Sequence, residues 1–188
     1  MSTLQSRSVL VAGATGGLGA PIVRLLAEHG ARLTLVGRDR DRLSALGVDG
    51  TLVEADLKKA GAAERVVAAA VDAYGGLDGL VVATGAVAFG PAVEMPDDVL
   101  VELFTLNTLA PIRLLRAAAE PLQASAQAGH DPFAVVLSAV VAEQPMAGMA
   151  GYAASKAAVC SFDAAAAREL RRVGVRLVDV RPPHTETG

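Results

Sequence analysis

The sequence has few of the residues that build disulfide, metal or aromatic-rich sites. One of its 188 residues is a cysteine, Cys160, which excludes an internal disulfide, and none is tryptophan. The three histidines, His29, His130 and His184, are far apart and lack metal-ligand spacing, so we expect no metal site. Aromatic residues make up only 3% of the chain. Small side chains, chiefly alanine, therefore allow helices to pack closely against a sheet.

The sequence also lacks an excess of positive charge and a long apolar run. Its formal net charge of -3 argues against nucleic acid as the main partner. The longest run without charge, Gly79 to Val93, contains glycines and a proline, and it is shorter than the ~20 apolar residues that cross a bilayer. No basic-then-apolar signal segment opens the chain. We therefore expect a soluble cytoplasmic protein with neither a membrane nor a nucleic acid as partner.

Apolar residues make up 52% of the chain, and its length suggests one domain over residues 1–188. Short apolar runs predict six strands: Ser8–Ala12, Arg32–Val36, Thr51–Glu54, Gly79–Ala83, Phe133–Leu137 and Val175–Val180. Helices are predicted between them over Gly17–His29, Asp39–Leu46, Ala60–Tyr74, Asp97–Ala126 (with a break near Pro111) and Gly151–Val173. This alternation predicts an α/β fold, a doubly wound, Rossmann-like parallel sheet with helices on both faces.

A glycine-rich turn follows the first predicted strand. Gly13 permits a tight bend, and Gly17 and Gly19 let the backbone approach a pyrophosphate at the N-terminus of the next helix. The glycines fit two spacings, one through positions 13, 17 and 19 and one through 13, 16 and 19. The turn predicts a dinucleotide site, with cofactor contacts at Gly13, Thr15, Gly16, Gly17, Leu18 and Gly19.

Tyr152 and Lys156 are four residues apart in a predicted helix, so their side chains share one face. A free tyrosine has a pKa of ~10, and a nearby cation favours the phenolate and lowers that pKa. A tyrosine tuned in this way suits proton transfer near neutral pH. The pair therefore predicts an acid/base group.

The chain resembles the short-chain dehydrogenases/reductases, an NAD(P)-binding Rossmann family, over almost its whole length. The resemblance rests on Gly13-x-x-x-Gly17-x-Gly19, Asp56, Asn107 and Tyr152-x-x-x-Lys156, which occur in the family's order. It implies an oxidoreductase that interconverts a carbonyl and an alcohol by hydride transfer, with Tyr152 as proton donor or acceptor. Lys156 would hold the nicotinamide ribose and lower the tyrosine pKa, and Asn107 would support a water relay. The alternative role for Asn107 is a structural amide that bridges strand and helix.

The family's catalytic serine falls on Ala139 in this sequence, with Ser138 beside it. Successive strand residues point to opposite faces, so Ser138 serves as the catalytic serine only if the strand end bends or the following loop is longer. The family's Asn-Asn-Ala-Gly is replaced by Val82-Ala83-Thr84-Gly85, in which Gly85 is still expected against the cofactor. These departures favour an alternative, a degenerate member that binds the dinucleotide with little turnover. A third reading, an epimerase or flavin-reductase relative, fits the 13-16-19 spacing but not Asn107.

The end of the second predicted strand bears on the choice of cofactor. It reads Leu35-Val36-Gly37-Arg38 and lacks the acid that holds a ribose 2′-hydroxyl in NAD-preferring sites. The Arg38 guanidinium suits a 2′-phosphate, which favours NADP(H) over NAD(H). The alternative is a solvated helix start, because residues 38–42 alternate in sign. The resemblance implies that Asp56 and the Leu57 backbone hold the adenine; otherwise Asp56 caps the next helix.

The last residues, Arg181 to Thr187, resemble the family's loop beside the nicotinamide. Thr185 and Thr187 would then lie near the carboxamide and pyrophosphate, and the alternative is a surface loop. Family members continue into a substrate-covering segment and a last strand, so we expect the chain to be C-terminally incomplete, with its small-molecule substrate unreadable. The apolar faces of the helices over Asp97–Ala126 and Gly151–Val173 exceed what one sheet can bury, which predicts a homo-oligomer. The resemblance implies a homodimer or homotetramer.

Overall fold

A computed structural model describes residues 4–183 of the chain. Its centre is a sheet of six parallel strands in the spatial order β3-β2-β1-β4-β5-β6. The strands are β1 (Ser8–Ala12), β2 (Arg32–Gly37), β3 (Thr51–Glu54), β4 (Gly79–Val82), β5 (Phe133–Leu137) and β6 (Arg176–Val180). The predicted doubly wound, Rossmann-like α/β fold is confirmed, and most strand bounds differ from the predicted ones by one residue at most.

Six α-helices cover the two faces of the sheet. They are α1 (Gly19–Glu28), α2 (Arg40–Ser44), α3 (Ala62–Tyr74), α4 (Asp97–Phe104), α5 (Ala110–Gln127) and α6 (Ala150–Arg172). Alternate residues of β1 point to opposite faces: Val9 and Val11 pack with residues of α1 and α2, and Leu10 and Ala12 pack with residues of α3, α5 and α6. This double burial explains why β1 is apolar throughout. No helix within residues 4–183 has both the length and the apolar character to cross a membrane.

The segment predicted as one helix over Asp97–Ala126 has three parts. A π-helical turn, Thr105–Leu109, joins α4 to α5 and carries Asn107. Pro111 lies at the start of α5, where a missing N–H is tolerated, so it does not break the chain's helical path. A π turn adds one residue to a helical turn and is often found at functional sites. In this protein the π turn carries Asn107, whose side chain bonds to Ala86 and Ser155.

The order of strands creates a crevice at one edge of the sheet. Chain connections run outward in one direction from β1 to β3 and in the other from β4 to β6. The residues that follow β1 and β4 therefore lead to helices on opposite faces of the sheet, which leaves a crevice between these two segments. Ligands of open α/β sheets bind in such a crevice. Ala83 continues the sheet bonding at this edge, because its N–H donates to the Ala12 carbonyl over 2.8 Å.

Candidate functional site

A cleft opens at the crevice between the ends of β1 and β4. Its empty volume of about 680 Å³, which includes the open mouth, falls in the range of small-molecule sites. Seven of the predicted cofactor-binding residues line it: Gly13, Thr15, Gly16, Arg38, Asp56, Leu57 and Gly85. The other lining residues are Val36, Gly37, Arg42, Ala55, Lys58, Ala83, Thr84 and Leu106. The predicted dinucleotide residues from four separate loops thus meet in one cleft.

The glycine turn packs too tightly against its surroundings for larger residues. Gly13 has a φ of 81°, a left-handed conformation, and a Cβ there would lie 2.8 Å from the Ala83 carbonyl atoms. A Cβ at Gly19 would lie 2.0 Å from the Gly13 carbonyl oxygen. Gly17 and Leu18 lie immediately before α1 and are not among the lining residues. The turn thus brings bare backbone of Gly13 and Gly16 to the cleft, with Thr15 between them.

Two arginines bring positive charge to the β2 side of the cleft. Arg38, exposed at the end of β2, lines the cleft as predicted. Arg42 of α2 also lines it, and its guanidinium donates to the Thr15 carbonyl oxygen over 3.2 Å. The Asp39 side chain caps α2 by accepting from the Arg42 N–H. The charged segment predicted at a helix start is therefore present at the start of α2. It also places the positive charges of Arg38 and Arg42 at the cleft.

Asp56 does not cap the helix after it. Its carboxylate accepts from the Lys58 N–H over 3.0 Å and so fixes a turn, whereas α3 begins only at Ala62, after Gly61. The alternative role as a helix cap is wrong, because five residues, 57–61, separate Asp56 from Ala62, the first residue of α3. Asp56 remains on the cleft wall with Leu57 beside it.

Asn107 ties the loop after β4 to α6. Its side-chain oxygen accepts from the Ala86 N–H and its side-chain nitrogen donates to the Ala86 carbonyl, both over 2.8 Å. The same nitrogen donates to Ser155 Oγ over 3.0 Å, and that hydroxyl donates to the Tyr152 carbonyl over 2.7 Å. Asn107 is fully buried. The structural-bridge role is thus present, and it connects the π turn to the helical turn that carries Tyr152.

Lys156 lies beside both the cleft and Asn107. A Cβ added to Gly85, which lines the cleft, would lie 3.4 Å from Lys156 Nζ and 3.3 Å from Asn107 Oδ1. The ammonium donates to the Leu137 carbonyl at the end of β5 over 2.9 Å. Lys156 is buried, and burial lowers its pKa to about 8. Tyr152, one helical turn earlier, is half-buried.

The effect expected of Lys156 on the Tyr152 pKa is absent. Burial raises the pKa of the Tyr152 phenol instead of a cation lowering it. Burial of the phenol accounts for this direction, and the Lys156 ammonium donates to the Leu137 carbonyl. In this state Tyr152 holds its proton firmly across the neutral range.

Comparison with known proteins identifies the family that shares this arrangement. The sequence profile described as short chain dehydrogenase matches residues 7–188. The chain belongs to the short-chain dehydrogenase family. It is therefore an oxidoreductase by family, and its Rossmann-like sheet is the fold of that family.

Individual members of the short-chain dehydrogenase family align along nearly the whole chain. An oxidoreductase of Mycobacterium tuberculosis (strain H37Rv) is 32% identical over 186 residues, covering 96% of this chain and 68% of that protein. A metagenomic short-chain oxidoreductase solved in complex with NADP is 32% identical with a TM-score of 0.88, covering 96% of this chain and 84% of the other. NADH-dependent reductase A1-R′, solved with NAD, is 25% identical with a TM-score of 0.87, covering 97% and 80%. The chain spans 61%, 76% and 78% of the length of three other curated relatives.

Ser138 departs from the short-chain dehydrogenase pattern in its contacts. Its hydroxyl is buried, donates to Asp179 of β6 and lies 3.5 Å from the Val180 carbonyl. The backbone does bond to β6 here, because the Ser138 N–H donates to the Val180 carbonyl. Ala139, where the family has its serine, is extended and 7% exposed. The structure therefore joins Ser138 to the β6 side of the fold, and its catalytic role stays a prediction.

Two residues of the cleft were not predicted from the sequence, and two predicted residues lie outside the described range. Arg42 and Lys58 line the cleft and were not predicted, since each resembles a solvated charge in the sequence; Lys58 also pairs with Glu102 of α4 over 2.9 Å. Thr185 and Thr187 lie outside the described residues. Within residues 4–183, no three potential metal ligands of the histidine, cysteine or carboxylate type come together.

Proposed function

We propose that the chain is an NADP(H)-dependent oxidoreductase that interconverts a carbonyl and an alcohol, with Tyr152 as the proton donor and acceptor. The observation that carries this proposal is the position of Gly85. It lines the cleft, and a Cβ built on it would lie 3.4 Å from the Nζ of Lys156, one helical turn from Tyr152. A dinucleotide in the cleft would therefore have its reactive end beside the acid/base pair.

The residues at the cleft fit a nicotinamide dinucleotide. A cradle of bare backbone at Gly13 and Gly16 leaves room for a pyrophosphate before the N-terminus of α1. Thr84 lines the cleft with a buried hydroxyl that has no partner in the described part of the chain, so a ligand group would satisfy it. Related structures with NADP and with NAD support the same class of cofactor.

The mechanism assigns a separate task to each residue of the site. The nicotinamide, when bound, supplies or accepts the hydride. Tyr152 holds a proton at its hydroxyl for donation to a carbonyl oxygen, and its raised pKa keeps the phenol protonated at neutral pH. Lys156 contributes a buried positive charge near Gly85 and would hold ribose hydroxyls, and Asn107 fixes the turn of α6 that carries Tyr152. In the oxidation direction, Tyr152 takes the proton back.

The preference for NADP(H) rests on Arg38 and Arg42. Both guanidinium groups face the cleft beyond β2, where a 2′-phosphate on the adenine ribose would carry up to two negative charges. The Arg42 guanidinium is already held by the Thr15 carbonyl, so less side-chain entropy is lost when it meets a phosphate. No acid occupies the end of β2, because position 37 is glycine.

A second candidate function is dinucleotide binding with little turnover. The observation that favours it is the Ser138 hydroxyl bound to Asp179, with alanine at the neighbouring position 139. Titration of the protein with NADPH and NADH by nicotinamide fluorescence, followed by a screen of aldehydes and ketones for NADPH consumption, separates the candidates. Binding with consumption supports the oxidoreductase; binding without consumption supports the second candidate; absence of binding contradicts both.

The hydroxyl at the end of β5 gives the first mutational prediction. Ser138→Ala removes a hydroxyl already used by Asp179, so we expect kcat/KM to fall less than about threefold, with some loss of stability of about 1 kcal/mol. Ala139→Ser adds a hydroxyl at the family's position and should raise kcat, because a further donor would polarise the substrate carbonyl. Steady-state kinetics on a substrate found by the screen checks both variants. A loss above about 100-fold in Ser138→Ala would place Ser138 in the catalytic group.

An oligomer is the second prediction, and it concerns α4 and the π turn. Val101, Phe104 and Leu109 project apolar side chains into solvent, and Val101 is 65% exposed. We propose that this surface is covered by a second copy in a homodimer or homotetramer. Light scattering at micromolar concentration should give at least twice the monomer mass, and Val101→Glu should reduce it. A monomer across the whole accessible concentration range would refute the assembly.

A further inference from the structure

A cluster of ionisable side chains extends from Lys156 along α6 and includes Asp179 of β6. Lys156, Cys160 and Asp163 are spaced four and three residues apart on α6, so they share one face of the helix. Asp179 of β6 acts electrostatically on all three, and it also accepts from Ser138. The proposed mechanism uses only Lys156 from this cluster.

Asp163 is the unusual member of the cluster. It is 2% exposed, and neither of its carboxyl oxygens has a hydrogen-bond partner among the residues that the structure describes. Nearby Asp179 is better satisfied, because it accepts from Ser138 and from Arg181. A buried carboxyl without a hydrogen-bond partner favours its protonated form, and a nearby negative charge favours that form further. Burial, and then the charge of Asp179, raises the pKa of Asp163 to about 7.

Lys156 depends on this cluster for its charge. Among residues 4–183, the Lys156 ammonium has one hydrogen bond, to the neutral Leu137 carbonyl, which compensates in part for its burial. Burial lowers the Lys156 pKa to about 8, and the acidic groups Cys160, Asp179 and Asp163 oppose that fall. The negative charge near Lys156 therefore raises its pKa and extends the pH range over which its ammonium stays protonated.

We propose that Asp163 is a positioning residue of the Tyr152–Lys156 pair: it is a buried carboxyl without a hydrogen-bond partner in the described part of the chain, on the same helix face as Lys156, and its ionisation keeps Lys156 protonated and bound to the Leu137 carbonyl. The charged groups acting on Asp163 are Asp179 from β6 and Lys156 from its own helix. Arg181 neutralises part of Asp179 and is itself paired with Glu143 beyond β5. The catalytic consequence rests on the proposed function, whereas the charge coupling does not.

The sign of the coupling follows from the order of the two titrations. Below about pH 7 Asp163 is protonated and adds no charge. Above it, Asp163 adds a negative charge just where Lys156 would begin to lose its proton. Asp163→Asn removes that charge, so Lys156 should become neutral at lower pH, and the alkaline limit of ribose binding should move down with it.

Nuclear magnetic resonance of the lysine side chains tests the coupling without cofactor or substrate. The chain has three lysines, Lys58, Lys59 and Lys156, so labelling at lysine Cε gives three signals, and Lys156→Arg assigns the one of interest. In the unmutated protein the Lys156 signal should titrate in two steps, the first following Asp163. Asp163→Asn should remove the first step and lower the midpoint of the second by roughly half a pH unit or more. Glu169→Gln, an exposed charge removal on the same helix, should change neither step.

Two results would overturn the coupling. One is a Lys156 signal with a single step in the unmutated protein, which needs no variant and so does not depend on folding. The other is an unchanged midpoint in a folded Asp163→Asn variant. Asp163→Glu restores an ionisable group and should recover the two steps. If the coupling is seen but NADPH does not bind, the proposed function fails and the charge coupling stands.

The pH dependence of thermal unfolding tests the protonation of Asp163 independently. Burial raises the pKa of Asp163 from its ordinary value of 3.8 to about 7, so the folded state binds more protons than the unfolded state between about pH 4 and 7. Stability due to this group therefore falls as pH rises through that window. Asp163→Asn should be more stable relative to the unmutated protein at pH 8 than at pH 5, and the reverse order would contradict a buried, protonated Asp163.

Discussion

Tyr152→Phe is expected to lower kcat for carbonyl reduction by about 10²- to 10⁴-fold, the usual contribution of a positioned general acid. The variant keeps the half-buried ring and removes the hydroxyl that carries the proton. Binding of NADPH should change less than about twofold, because Tyr152 is not among the residues that line the cleft. Steady-state kinetics on a proven substrate and a fluorescence titration of NADPH measure the two effects separately.

The chain offers a matched control in its only other tyrosine. The Tyr74 hydroxyl donates to the Leu33 carbonyl over 2.9 Å, far from Lys156 in the fold, so Tyr74→Phe should cost about 1 kcal/mol of stability and leave kcat unchanged. Lys156→Ala should reduce both activity and NADPH binding, since Lys156 lies against Gly85 of the cleft. Activity retained by Tyr152→Phe would show that another group supplies the proton, and the dinucleotide site would then stand alone.

Arg38→Ala is expected to weaken NADPH binding by about 10- to 150-fold and to leave NADH binding nearly unchanged. The loss corresponds to about 1.5–3 kcal/mol for one hydrogen bond to a charged partner. Arg42→Ala should weaken NADPH binding less, because one nitrogen of the Arg42 guanidinium already donates to the Thr15 carbonyl. Titrations of both cofactors against the unmutated protein and the two variants give the six affinities needed.

Arg40 supplies the control for the charge of this region. It is exposed on α2 between the two arginines, but it does not line the cleft. Arg40→Ala removes the same charge from the same segment, so an equal loss in Arg40→Ala and Arg38→Ala would reveal a long-range field instead of a phosphate contact. Equal affinities of the unmutated protein for NADPH and NADH would contradict the preference itself.

The sheet could be predicted from the sequence because its signals are local. The apolar runs Ser8–Ala12, Thr51–Glu54 and Phe133–Leu137 became strands with the predicted bounds. Buried parallel strands require continuous apolar residues, and helices between them fix the crossovers. The order β3-β2-β1-β4-β5-β6 then follows from the family's fold, which the glycine turn and the Tyr152–Lys156 spacing indicated.

The π turn and the contacts of Ser138 could not be predicted for a common reason. Each depends on partners that are distant in sequence: Asn107 bonds to Ala86 and Ser155, and Ser138 bonds to Asp179. Helical periodicity around Thr105–Leu109 gives no sign of an added residue, because the contact that stabilises the turn lies in the loop after β4.

Electrostatics at the site were the least predictable from spacing alone. Tyr152 and Lys156 have the expected separation, yet burial raises the Tyr152 pKa and lowers the Lys156 pKa. The direction of each pKa shift depends on how deeply α6 packs, and the sequence does not state that depth. Asp163 illustrates the same limit, since its position in α6 reads as a solvated helix residue until β6 places Asp179 beside it.

Deuterium transfer from NADPH labelled at nicotinamide C4 tests the central claim most directly. The protein is incubated with the labelled cofactor and a panel of aldehydes, ketones and ketoacyl thioesters, and the products are analysed by mass spectrometry. The account predicts an alcohol that carries one deuterium at the former carbonyl carbon, formed by the unmutated protein and lost in Tyr152→Phe. Saturable NADPH binding with no deuterated alcohol from any member of the panel would contradict it.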